Sequence, residues 1–425
     1  MSAQGQAVGT WHPGRICVAA SLLAVAAFLV GFTDSFETPP EQDPVAVLGP
    51  QASGATYRVL APVRGDGFLR LYDVETGFGL MRVAGDGLLR NRLKELAALA
   101  ALDQLGRQER FVEGLRQAAL RPAEFVYGTV IDPLAAARGT VSGVGRLFDR
   151  ISSGVGRAVT GDVGSPGEIA RGLTGQARAR RQLAVELGVD PYTDFAPLSA
   201  RLDEASAVSA AGSLTVTALL ALIPAGLAAP RPEAALTPLT ERILDSSRDE
   251  LERRTAADLA GLGIPGPVVA ALAANRHYTP MERAVLADRL QALAGVDGLT
   301  LLAEHMAGVE TREEAWFQLR RAVMLAQDHE ARPLAEIRHI AGFPVGLAAD
   351  GGAALVFPLD MVAWTASSAR ALQALNEGLA AIGIPGKDIA FVVSGEITPL
   401  AAERLAANGW RLQPGTPLPD GSPVD

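Results

Sequence analysis

Residues Asp388–Gln413 read DIAFVVSGEITPLAAERLAANGWRLQ, and the change of pattern within them decides the class of the C-terminal part of the chain. DIAFVVSG is a short continuous apolar run, as a strand covered on both faces requires. TPLAAERLAANG opens on Thr398 and Pro399, a cap followed by proline at the first helical position, and closes on Gly409. WRLQ then reads as a final strand. Upstream, FPVGLAAD (Phe343–Asp350), a Gly-Gly turn and AALVFPLD (Ala353–Asp360) predict a hairpin, and MVAWTASSARALQALNEGLAAI (Met361–Ile382) predicts a helix.

Strand, helix, strand, helix, strand at these lengths implies parallel pairing through right-handed crossovers, a small α/β unit over 333–415. Ligands of such sheets lie outside the carboxyl ends of the strands. Those ends present Asp360, Ser394, Gly395 and Glu396, with Thr398 at a helix N-terminus suited to an anion. Asp360 and Glu396 are oxygen donors of the kind that hold Mg²⁺ beside a phosphate ester. No glycine-rich phosphate loop, paired-acid motif or basic residue accompanies them, so ordinary strand-end capping is the competing account.

A chain of 425 residues with 48% hydrophobic content and a net charge of -9 has enough apolar material for two or three cored domains and is not a disordered protein. Its acidic balance argues against nucleic acid as a partner, which requires clustered cations. Lys94 and Lys387 are the only lysines, and with abundant Ala and Gly this points to a GC-rich bacterial genome and to no site.

The N-terminus carries the signal for location. Arg15 precedes ICVAASLLAVAAFLVGF (Ile16–Phe32), and Asp34, Glu37, Glu41 and Asp43 follow it, so the segment is expected to insert with its N-terminus inside and the body outside the cytoplasm. Residues 1–35 read as a signal peptide or a membrane anchor, and the length of the apolar run does not choose between them. The single cysteine, Cys17, lies at the start of that run, which leaves the exported part without disulfides. An extended linker over 36–55 leads to ATYRVLAPV, FLRLYDVE and FGLMRVA, a three-stranded meander turned by RGDG and TG. LLRNRLKELAALAALDQL then supplies a covering helix, completing a unit over 56–120.

The stretch 121–230 is rich in Gly and Arg. Val141, Val144, Phe148, Ile151, Val155 and Ala158 form one helical stripe, and GVGR recurs eleven residues apart, at Gly143 and Gly154. Glycine costs a helix about 1 kcal/mol per position, so these need a compensating close approach of another helix or of a lipid surface. Eight arginines between Arg138 and Arg181 face three acids, a bias that suits an anionic membrane surface or an acidic partner. The contact residues expected on that reading are Arg146, Arg150, Arg157, Arg178, Arg180 and Arg181. The competing account packs the stripe on its own domain and pairs the arginines with acids elsewhere in the chain. ASAVSAAGSLTVTALLALIPAGLAAP (Ala205–Pro230) lacks any ionisable side chain, yet its apolar part is short and holds Pro224, so a buried helix ending in a turn is expected in place of a membrane span.

Residues 231–332 are regularly helical, with Thr279, Pro280 and Glu282 forming a capping box and GLGIPG (Gly261–Gly266) a C-terminal cap that AIGIPG (Ala381–Gly386) repeats. His277, His305, His329 and His339 show no metal-ligand spacing, and no cofactor or metal is implied. Residues 416–425 read as a disordered tail. The whole is an α+β, helix-dominated chain: export or anchor helix, small β-meander, central helical region and C-terminal α/β unit. The function expected of it is non-catalytic, in binding, scaffolding or assembly at a membrane surface of the bacterial cell envelope, its partner that surface or an envelope protein. Two alternatives are a membrane-active protein inserting the hairpin of 205–230, and a metal-dependent phosphoesterase using the C-terminal strand ends.

Overall fold

A computed structural model describes residues 35–106, 143–153, 175–211, 215–221 and 238–418. The chain divides after Glu37, and Thr38 onward forms one body. The apolar run Ile16–Phe32 lies outside the described residues.

The segment expected to be an extended linker is built into that body. Gln42 and Val63 exchange backbone hydrogen bonds at 2.9 Å. A short helix α1, Pro44–Leu48, follows, capped by the Asp43 carboxylate, which accepts the N–H groups of Val45 and Ala46 at 2.8 and 3.3 Å. Asp-Pro is itself a cap followed by a proline at the first helical position.

The meander follows as β1 (Tyr57–Val59), β2 (Arg64–Gly65), β3 (Arg70–Thr76) and β4 (Gly79–Ala84), all antiparallel to the central β3. β4 occupies one edge of β3 and β1 and β2 share the other; β1 stops short of Pro62, which has no N–H to give a ladder, and β2 falls in the stretch read as the RGDG turn. Helix α2, Asp86–Leu105, places Leu88, Leu89, Leu93 and Leu96 in the same apolar cluster as Val59, Val74 and Val83.

The described helices of the middle are α3 (Gly143–Ser153), α4 (Gly175–Glu186), α5 (Ala196–Ala210), α6 (Val216–Ala221), α7 (Pro238–Asp245), α8 (Arg248–Gly261), α9 (Gly266–Ala274), α10 (Pro280–Gln291), α11 (Leu299–Ala307) and α12 (Arg312–Ala331). The described part of the uncharged stretch from Ala205 is divided between the end of α5 and α6, with Ala205, Ser206, Val208 and Leu219 buried, while residues 222–230, with Pro224 and the expected turn, lie outside the described residues. Among the described residues no helix is long and apolar enough to cross a membrane. The capping box at α10 forms as read, Thr279 accepting the Glu282 N–H at 3.1 Å and Glu282 accepting the Thr279 N–H at 2.9 Å.

The C-terminal sheet contains β5 (Leu334–Ile340), β6 (Phe343–Ala348), β7 (Ala353–Phe357), β9 (Ile389–Val393) and β11 (Arg411–Gln413), and the pair β8 (Met361–Val362) and β10 (Glu396–Ile397) lies beside it. Helix α13 (Ala366–Ala381) and helix α14 (Pro399–Ala407) make the crossovers. The strand order is β11-β9-β7-β6-β5, with β7, β9 and β11 parallel and β5, β6 and β7 antiparallel. Alternate residues of β7 and β9 feed different cores: Ala354, Val356, Ala390 and Val392 pack with α10 and α12, while Leu355, Phe357, Phe391 and Val393 pack with α13 and α14. After α8 and again after α13, the glycine that precedes Ile-Pro-Gly adopts a left-handed backbone, φ +78 at Gly263 and +85 at Gly383, and closes the helix as expected. The result is helix-dominated α+β, with the meander and the parallel sheet sharing one apolar cluster.

Candidate functional site

Beyond the carboxyl ends of β7 and β9 lies a cleft of about 220 Å³. Pro358 and Asp360 enter it from β7, Ser394 and Gly395 from β9, and Gly85–Leu88 from the start of α2. α12 contributes Glu313, Trp316, Phe317 and Arg320 to its wall. Thr416 and Leu418, expected at the start of a disordered tail, instead line it, with the Thr416 N–H held by the Val393 carbonyl at 3.0 Å.

Asp360 is buried, and its Oδ2 accepts two backbone N–H groups, from Arg70 at 2.9 Å and from Asp86 at 3.1 Å. One carboxyl therefore ties the α/β unit to the first residue of β3 and to the first turn of α2. Burial, and next the neighbouring Asp86 carboxylate, push the Asp360 carboxyl well above the usual range, against the pull of those N–H donors and of the Arg70 charge.

Arg70 stands beside it, 9% exposed, and donates Nε to Gln42 Oε1 at 2.7 Å, Nη1 to Asp86 Oδ2 at 2.8 Å and Nη2 to Glu396 Oε1 at 2.5 Å. Burial works against its charge, and Asp86 and Asp360 outweigh that, so its pKa is raised. The Tyr72 hydroxyl donates to Asp86 Oδ1 at 2.5 Å, and its pKa is driven up by burial first and by the carboxylates second.

Of the strand-end residues expected from sequence, Asp360, Ser394 and Gly395 line the cleft. Ser394 Oγ donates to the Leu359 carbonyl at 2.9 Å. A Cβ on Gly395 would stand 1.9 Å from the Asp360 carbonyl oxygen, so only glycine fits where the two chain segments touch. Glu396 belongs to the Arg70 cluster, and Thr398 caps α14 by accepting the Ala401 N–H at 3.3 Å. Among the described residues no group of three His, Cys, Asp or Glu side chains is placed to hold a metal ion. Arg70, Tyr72, Asp86 and Gln42, which the sequence reading did not single out, are what organise this region.

The arginine-rich helix is placed differently from a free surface element. On α3, Val144, Leu147 and Phe148 are buried and Arg146 is exposed. The Phe148 ring stacks on Phe68, with centroids 4.1 Å apart, and meets Phe357 at 5.4 Å and Phe343 and Phe317 at 5.9 Å. A Cβ on Gly143 would lie 2.3 Å from Thr311 Oγ1, the atom that caps α12, so this glycine permits the close approach of two helices. Arg180 donates to the Pro191 and Ser199 carbonyls at 2.9 and 2.8 Å and pairs with Asp203, while the buried Arg181 donates to the Leu244 carbonyl at 3.0 Å. Arg178 meets Asp245 at 3.4 Å with both side chains exposed. Arg157 and the side chain of Arg150 lie outside the described residues. No family model, no curated protein and no solved structure matches this chain.

Proposed function

We propose that this chain is a non-catalytic binding protein of the bacterial cell envelope, exported by its N-terminal apolar segment and acting in binding or assembly at a membrane surface, with the cleft above β7 and β9 as its contact site. The observation that supports this reading is the use of the ionisable groups around the cleft. Asp360 accepts two backbone N–H groups and Arg70 donates to three side chains, so both are committed to holding the meander, α2 and the sheet together. What remains open is a concave wall of mixed polar and apolar character, the ordinary form of a recognition site.

Location is tested by fusing a reporter that is active only outside the cytoplasm after residue 60; activity is expected, and an active cytosolic reporter there refutes export. The contact site is tested by placing a photo-crosslinking side chain at Arg90, on the cleft rim, and at Arg58, which is exposed on β1, in the full chain expressed in its host. A discrete adduct at position 90 and none at 58 is expected. Turnover of generic phosphoesters that depends on Mg²⁺ and is lost in Asp360→Asn would replace this reading with the hydrolase.

A further inference from the structure

We infer that the cleft holds the anionic group of a small ligand, a carboxylate or a phosphate, at the N-terminus of α2; this rests on the reading of the cleft as the binding site. α2 has 20 residues, and its first turn is formed without a side-chain cap, because the capping position is Gly85 at φ +95. Of the N–H groups that a helix leaves unpaired at its start, that of Asp86 goes to Asp360, and those of Gly87 and Leu88 remain at the cleft wall. Such N–H groups, with the positive end of the helix dipole behind them, attract an oxyanion.

The independent mark of a ligand is on the facing wall. Trp316 of α12 is 4% exposed and lines the cleft, yet its indole Nε1 has no hydrogen-bond partner among the described residues. That nitrogen is aimed at the start of α2: a Cβ on Gly87 would lie 3.0 Å from it. A buried N–H without an acceptor is costly, and a bound oxygen atom between the two walls removes the cost. The Arg312 guanidinium, 5.5 Å from the Trp316 ring centroid, helps fix the indole in place. Glycine at position 87 thus leaves room where indole and helix converge.

The charges around this point are mixed and can be assigned. Arg90 and Arg320 line the wall as cations. Asp86 is engaged by Arg70 and Tyr72, Asp360 by two N–H groups, and Glu313 completes the acidic groups of the lining. Among the described residues, the donors that converge without a committed acceptor are the Gly87 and Leu88 N–H groups and the Trp316 indole.

The test uses the full chain in mild detergent, labelled with 5-fluorotryptophan. It carries four tryptophans, and the Trp316 signal is assigned from Trp316→Phe. Inorganic phosphate and acetate are titrated separately at constant ionic strength. A saturable shift of the Trp316 signal with either anion is expected; phosphate alone identifies a phosphate ligand and acetate alone a carboxylate. Arg90→Gln should weaken that binding about tenfold, and Gly87→Ala should abolish the shift while circular dichroism shows the fold retained. Absence of a saturable shift with both anions overturns this inference and leaves the crosslink at position 90 to judge the contact site; absence of the crosslink as well removes both.

Discussion

Replacing Phe148 by alanine separates the two accounts of the arginine-rich helix. The ring is fully buried, lies between the meander and the C-terminal sheet, and touches four other phenylalanine rings. Loss of a buried phenylalanine costs about 3–5 kcal/mol from transfer and cavity terms together. Ring pairs of this geometry add about 0.5–1.5 kcal/mol each, though not additively, which puts Phe148→Ala near the top of the range. α3 packs on α13 and α12, so the loss should appear first as faster amide exchange in α3, then as a lower urea midpoint for the full chain followed by tryptophan fluorescence. If stability stays within about 0.5 kcal/mol of the parent and α3 exchanges as before, the packing argument is wrong and the helix belongs to some other surface.

Replacing Arg146, Arg150 and Arg157 together by glutamine should weaken binding to anionic vesicles by about two orders of magnitude, at about 1 kcal/mol per charge, if lipid is the partner; salt-insensitive vesicle binding by the parent chain would refute it. Asp190 is buried, and burial first and Glu282 second push its carboxyl up from 3.8 to about 7. The folded state therefore holds that proton more tightly than the unfolded chain, so stability falls as pH rises from about 4 to 7, at up to about 1.4 kcal/mol per unit, and Asp190→Asn should flatten that slope in urea titrations across the window. Both hydrogen bonds accepted by Asp360 go to one oxygen. Asp360→Asn should accordingly stay within about 1 kcal/mol of the parent, while Asp360→Ala, leaving two buried N–H groups unpaired, should cost about 1–3 kcal/mol for each; equal losses in the two variants would show that the charge itself matters. Gly395→Ala should lower the melting temperature sharply, because its Cβ would collide with backbone, and an unchanged melting temperature would contradict the close approach described.

Local chemistry in this chain is written plainly where a single residue type serves a single backbone need. The glycines before Ile-Pro, the threonine caps and the Gly-Gly hairpin all act within a few positions and are found as read. β5 escaped the reading for a physical reason. Leu334 and Ile337 enter one cluster three positions apart because the register shifts between Leu334 and Glu336, while Ile340 is buried on the opposite face in the other cluster, and the resulting spacing of three imitates a helix. The helix expected from Met361 starts at Ala366 instead, since Thr365 caps it and Met361–Val362 pair with Glu396–Ile397. Asp43-Pro44 carried a helix start that the surrounding prolines and glutamate disguised as linker.

The site was only half legible, and the missing half is the part that depends on distant pairing. Asp360 and Gly395 follow from the rule that open α/β sheets place their crevice at the carboxyl ends of the strands. Arg70 is one polar residue on an alternating strand, and Asp86 is an acid in the first turn of a helix, where acids are common. Each becomes distinctive through a partner 274 to 326 positions away, which periodicity cannot reveal. Anion recognition shows the same limit. Thr398 looked like the receptive helix start because threonine before proline is a visible cap, but a cap is an acceptor already supplied, and it takes the Ala401 N–H of its own helix. The end proposed as receptive, the Gly85 start of α2, offers no capping side chain of its own and is set apart from other uncapped starts by Trp316, and a glycine there reads as a turn until Trp316 is seen to face it.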